Sequence, residues 1–137
     1  MYSSSFLSLM RTIIAGSREI KDEDLVFETI TSALQDGFEI TEVVSGTAEG
    51  VDEIGEKWAD QNDVSVSRFP YEDYMDDNPV EVAPLVRNKK MAEYAEQAII
   101  IWDGESSGTE NMIEEAKNES LNLHVNRTDN TDITDFY

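Results

Sequence analysis

Three short stretches of small residues have the composition to hold a ligand through the backbone: AGSR at 15–18, SGTAEGVD at 45–52 and WDGESSGT at 102–109. Glycine, serine and threonine let main-chain N–H groups approach an anion closely. A helix that starts just after such a turn adds partial positive charge, so phosphate is the natural guest. Gly16, Ser17, Gly46, Thr47, Gly50, Gly104, Ser107, Gly108 and Thr109 are the backbone candidates. Arg18 and Arg87 can add charge-assisted hydrogen bonds, and Arg87 is singled out because the chain has few guanidinium groups. Asp52 could bond a ribose hydroxyl or Arg18, or complement the start of a helix; Asp103 could face a ligand crevice or act as a cap. No turn matches GxGxxG or GxxxxGK[ST], so the sequence supports neither a hydride-transfer enzyme nor a P-loop NTPase.

The elements that must position these turns follow from hydrophobic periodicity. Arg11 to Ala15 predicts a first strand that stops at Gly16. Asp22 or Asp24 can cap a helix carrying Leu25, Val26, Ile30, Ala33 and Leu34 on one side, closed by Asp36 and Gly37. Thr41 to Ser45 predicts the second strand, and apolar positions from Val51 to Ala59 predict a helix reaching Asn62. Val64 to Phe69 predicts the third strand. Pro70 to Pro84 is aperiodic and acidic, a long loop over a surface or a pocket mouth, followed by a helix from Leu85 to Tyr94. Gln97 to Trp102 is continuously apolar and β-branched at its centre, as in a mid-sheet strand covered on both faces. Thr109 to about Ser120 predicts the last helix and Leu121 to Val125 the last strand. Strands alternating with helices give a single-domain, doubly wound α/β fold with a mainly parallel sheet, and ligands in such folds lie beyond the carboxyl ends of the strands. Residues 1–10 read as an arm, with Met10 an equally good start, 11–125 as the domain, and 126–137 as a polar tail.

Composition removes other chemistries. The 137 residues contain no Cys and one His, which excludes disulfides, Cys-ligated zinc, a thiol nucleophile and multi-His metal sites. No metal and no cofactor are expected; Glu72, Asp73, Asp76 and Asp77 lack the spacing of a calcium loop and read as a solvated acidic segment. No stretch is long and apolar enough to span a membrane, and a cytoplasmic location is expected. The 30 Asp and Glu against 10 Lys and Arg give a net charge of −20. The acids are spread along the chain, with 13 in residues 1–60, 8 in 61–100 and 9 in 101–137. Such a coat repels nucleic-acid phosphate and anionic lipid, and it is read as adaptation to a salt-rich cytoplasm, as in haloarchaeal proteins or those of their viruses.

IIAGSR at 13–18, SGTAEGVDEIGEKWA at 45–59, RNKKM at 87–91 and IIIWDGESSGTENMIEEAK at 99–117 together resemble the SLOG superfamily, which unites the Smf/DprA and LOG proteins, and within it the YspA/YpsA-related branch. The resemblance runs from about Arg11 to Val125. It implies a Rossmann-like three-layer αβα sandwich whose loops bind a nucleotide or nucleotide-derived ligand. Arg18, the Gly46 to Asp52 turn, Arg87, Asn88 and the Asp103 to Thr109 turn would surround that ligand. It also implies self-association, with a homodimer or higher homo-oligomer expected. LOG enzymes that release a base from a nucleoside monophosphate pair an Arg four residues before a Met with a Glu three residues after a turn Thr. Arg87 and Met91 fit the first element, whereas Met112 occupies the Glu position. Relatives of the branch often carry a basic residue where Glu49 stands.

The first functional expectation is therefore a nucleotide-binding sensor or accessory module for a phosphoribosyl or ADP-ribose-like ligand. The alternative is a hydrolase of an N-glycosidic or phosphoester bond, with Arg87 stabilising charge and Asp103, Glu110 or Glu114 as acid or base. A third is an acidic module that binds a basic protein. Trp58, Trp102, Met91 and Met112 are expected to pack in the core.

Overall fold

The structure, a computed structural model, describes residues 9–129. Five strands alternate with four helices: β1 Arg11–Gly16, α1 Glu23–Gln35, β2 Glu42–Ser45, α2 Val51–Gln61, β3 Ser65–Arg68, α3 Ala83–Tyr94, β4 Gln97–Trp102, α4 Ser107–Asn118 and β5 Asn122–Arg127. A single 3-10 turn, Tyr71–Tyr74, interrupts the connection from β3 to α3. All four strand pairings are parallel, in the order β3-β2-β1-β4-β5. Among the described residues no helix is long and apolar enough to cross a membrane.

Both faces of the sheet are covered, which makes the three-layer sandwich. Ile14, Val43, Ile99 and Ile101 pack against Val26, Ile30 and Ala33 of α1 and Val51, Trp58 and Ala59 of α2. Ile13, Ala15, Val44, Ala98 and Ile100 pack against Met91 and Ala92 of α3 and Met112, Ile113 and Ala116 of α4. Alternating side chains of one strand thus enter opposite cores, which is why β4 is buried along its whole length and apolar from Ala98 to Trp102; Gln97, at its start, is buried with its Nε2 donating to Thr12 Oγ1 and the Glu39 carbonyl. The chain winds outward from β1 through β2 to β3, then crosses back to β4. This reversal leaves a crevice between β1 and β4 at their carboxyl ends, bounded by the loops after β1, β2 and β4.

Several local expectations shift. Leu34 is expected on the packing side of α1 but is 38% exposed; Thr29 is buried there beside Val26, Ile30 and Ala33, its hydroxyl donating to the Leu25 carbonyl and accepting from Asn126 Nδ2. Asn126 and Arg127, assigned to the tail, continue β5 in register with Ile101 and Trp102, and Thr128 N–H donates to the Trp102 carbonyl. α4 starts at Ser107 instead of Thr109, because Ser106 caps it by accepting from Thr109 N–H at 3.3 Å. α3 starts at Ala83, with Pro84 in its first turn, where no N–H is needed. Of the expected arm, residues 1–8 lie outside the described residues, as do residues 130–137 of the tail. Met10 is tied to the sheet, its N–H donating to Thr41 Oγ1 at 2.8 Å.

Candidate functional site

A cleft of about 910 Å³ opens at the carboxyl ends of β1, β2 and β4. Of the residues picked out in the sequence, Gly16, Ser17, Arg18, Gly46, Thr47, Asp52, Arg87, Asn88, Asp103, Ser107, Gly108 and Thr109 line it. Gly50 and Gly104 do not. Gly50, with φ +80°, lies behind the second loop, where a side chain would collide with the Arg18 and Ile20 carbonyls. Gly104, with φ +83°, turns toward Arg127 and Asp129. Glu110 and Glu114 also fall outside: α4 buries Thr109, Met112, Ile113 and Ala116, so these two carboxylates point into solvent and touch no part of the cleft.

The three loops use their amides differently. In the loop after β1, Ser17 N–H donates to the Ile101 carbonyl at 3.1 Å, and helix α1 begins only at Glu23, capped by Asp22. In the loop after β2, Thr47 N–H goes to Ser45 Oγ and Ala48 N–H to Asp52 Oδ2, each at 3.1 Å. Thr47 holds φ +66°, unusual for a β-branched residue, and it faces the cleft. In the loop after β4, Asp103 Oδ1 accepts from Glu105 and Ser106 N–H at 2.9 Å, and Asp103 N–H donates to Ser17 Oγ at 3.1 Å. That loop ends at Ser107 and Gly108, the first two helical residues of α4, whose N–H groups precede any intrahelical acceptor and open on the cleft.

Asp103 is therefore the organiser of its loop more than a free acid or base. Burial alone would raise its carboxyl, but the N–H groups of Glu105 and Ser106 and the Ser17 hydroxyl outweigh burial and hold it below the usual carboxylate range. Arg87 is also built into the walls: Nη1 donates to the Gly46 carbonyl at 2.5 Å and to the Phe69 carbonyl at 3.3 Å, while Nε donates to Asn88 Oδ1. Asn88 in turn donates to the Gly108 carbonyl and Asn111 Oδ1, linking α3 to α4. Burial pushes the Arg87 guanidinium below its ordinary value, against the attraction of Asp52, Glu72 and Tyr74.

Asp52 is the most perturbed group in the cleft. It is 5% exposed, and burial raises its carboxyl to about 7 despite the Ala48 N–H, Arg87 and the Gly16 N–H; Glu56 reinforces the rise. The sequence marked Asp52 as a ligand contact without foreseeing this burial. Gly46 makes the close approach possible, since a Cβ there would lie 2.7 Å from Arg87 Nη1 and 2.9 Å from Asp52 Oδ2. Gly16 is equally constrained, because a Cβ would strike the Ile101 carbonyl and Val51.

Arg18 stands exposed at the mouth and makes no ion pair among the described residues. Glu49, also at the mouth, pairs with Lys21 at 3.1 Å and so ties the first two loops together. Residues missed in the sequence come mainly from the aperiodic segment: Tyr71, Glu72, Val80 and Pro84 form one wall. The only signal for them was the length of that loop. Met91 and Met112 are core residues, 1% and 2% exposed, whose remaining surface forms part of the cleft floor. Among the described residues no group of three or more His, Cys, Asp or Glu side chains converges as metal ligands do.

No curated protein and no solved structure shows a significant match to the chain. Residues 10–72, which run from the edge of β1 through the Gly46 to Asp52 loop into the 3-10 turn, match the YspA, cpYpsA-related SLOG family, YAcAr. The matched stretch supplies two of the three loops around the cleft, so the similarity to the YspA-related branch of the SLOG superfamily falls on the part of the chain that builds the candidate site.

Proposed function

We propose that the cleft binds a phosphorylated nucleotide or an ADP-ribose-like derivative and that the protein acts as a sensor or accessory module, without turnover. The observation that carries this reading is the pair of N–H groups at Ser107 and Gly108, at the positive end of α4, opening on a cleft that also holds Arg18 and Arg87. The volume, about 910 Å³, suits a ligand of nucleotide size. The similarity of residues 10–72 to the YspA, cpYpsA-related SLOG family supports a nucleotide-related ligand at the same coarse level.

Binding without turnover is favoured by the fate of the expected acid–base groups. Met112 replaces the LOG glutamate and is buried, Asp103 is engaged by its own loop, and Glu110 and Glu114 face away. One observation favours a hydrolytic second reading: Asp52, beside Arg87, titrates where a general acid or base operates best.

A thermal melt in concentrated KCl, alone and with nucleoside monophosphates, cyclic nucleotides, NAD and ADP-ribose, tests the proposal. A ligand at about 100 times its Kd adds ~2.7 kcal/mol and should raise Tm by several degrees. Arg18→Ala should remove most of that rise, since the Arg18 side chain is exposed at the mouth and makes no ion pair among the described residues. No rise with any nucleotide refutes the reading, and product appearing on incubation transfers it to the hydrolase.

A further inference from the structure

Helix α3 buries Ala83, Asn88, Met91 and Ala92, and its opposite face is unlike the rest of the surface. Residues 82–92 contain no Asp or Glu in a chain that has 30, and they include Arg87, Lys89 and Lys90. Apolar exposure collects at the same place. Six large hydrophobic side chains are exposed among the described residues, and four of them, Met75, Val80, Val82 and Leu85, lie on the segment that leads into α3 or on its first turn, with Leu85 at 42%. In a coat of carboxylates, this is where a partner gains apolar contact without desolvating anions.

The charges on that face specify the occupant. The Pro79 carbonyl accepts from the Val82 and Ala83 N–H groups, so the turn before α3 winds straight into the helix and brings Glu81 into line with Leu85 and Lys89. Residues four apart on a helix share a face and are separated by about 6 Å along its axis. Glu81 and Lys89 are exposed, and neither makes an ion pair among the described residues. The order acid, leucine, base reads as base, leucine, acid from the other end. A two-fold axis through Leu85 therefore sets Leu85 on the partner's Leu85 and Glu81 against the partner's Lys89, twice over. A basic protein would favour the acidic coat over this face, and the net charge of −20 repels nucleic acid and anionic lipid. We infer that the outer face of α3 is the interface of a two-fold homodimer of this chain, centred on Leu85. Each copy carries the same net charge of −20, so the association strengthens as salt screens the remaining surface. This interface does not depend on what the cleft binds.

Sedimentation equilibrium of the full chain tests it. The chain should be a dimer near 1 M KCl, where the Debye length is roughly 3 Å, and should dissociate more readily near 0.1 M. Leu85→Asp, Glu81→Lys and Lys89→Glu should each weaken the dimer at least about 10-fold, because the symmetry introduces every like-charge contact in duplicate. All three positions are exposed, so the melts should stay cooperative. The decisive arm mixes Glu81→Lys with Lys89→Glu in equal amounts. Each variant alone sets like charges face to face, whereas both contacts of the mixed dimer are again opposite, so mixing should restore association. A monomer at every KCl concentration overturns the inference. A dimer that Leu85→Asp leaves intact overturns it as well, since another face then holds the copies together. Charge variants that weaken the dimer but do not recover on mixing overturn the two-fold register.

Discussion

Replacing Asp52 by Asn removes a carboxyl that is 5% exposed and sits at about 7 instead of its ordinary 3.8. The sign follows from proton binding. Between the two values the folded protein holds a proton that the unfolded chain has released, so this group makes folding less favourable as pH rises. Its full effect is absent below the unfolded value, grows through the window from 3.8 to about 7, and levels off above it. At ~1.36 kcal/mol per pH unit across that window, the burial of a charged Asp52 costs ~4 kcal/mol near pH 8 and roughly 2 kcal/mol near pH 5. Asn escapes titration and still accepts the Ala48 N–H. The stability of Asp52→Asn minus that of the wild type should therefore rise by about 2–3 kcal/mol between pH 5 and pH 8. Urea unfolding at fixed KCl measures the difference, and because both proteins share every other carboxylate, the general acid lability of a chain with net charge −20 cancels. A difference that stays flat with pH would refute the placement of Asp52 as a desolvated carboxyl, whatever its absolute size.

Other substitutions probe the scaffold around the cleft. In Gly55→Ala a Cβ would lie 2.7 Å from Ile14 Cγ2, so an exchange that ordinarily favours a helix should here cost about 1–3 kcal/mol, read from the urea midpoint. Ser106→Ala removes the acceptor of Thr109 N–H and should lower stability by ~1 kcal/mol, with a Tm a few degrees lower by calorimetry. Asp103 is held below its ordinary value, so its contribution is present at neutral pH and lost as pH falls through the folded value; Asp103→Ala should be less stable than wild type at pH 7 and converge with it in acid. The net charge of −20 should make Tm climb with KCl toward about 1 M, where the Debye length is roughly 3 Å; an equal or higher Tm near 0.1 M would remove the salt-adaptation argument.

Sequence alone determined the order of elements, the parallel sheet and the three strand-end loops. Each of these follows from local period and local turn chemistry. β4 is apolar from Ala98 to Trp102 because both its faces are covered, and that pattern is visible in AIIIW without any partner. The exclusion of Glu110 and Glu114 was also nearly legible, since helical spacing separates them from Met112. Tertiary structure decided what the loops can do. Which backbone groups remain open depends on contacts between distant segments: the Asp103 N–H donates to Ser17 Oγ, and the Gly46 and Gly108 carbonyls accept from Arg87 and Asn88. Leu34 left the core and Asn126 entered the sheet for the same reason, because burial is set by what packs opposite a residue and not by its own periodicity. Asp52 shows the division most clearly. Its position at the start of α2 was readable in GTAEGVD, but its buried carboxyl near neutrality exists only because β1, β2 and α3 converge on it, withdrawing water while supplying too little opposing charge to keep it ionised.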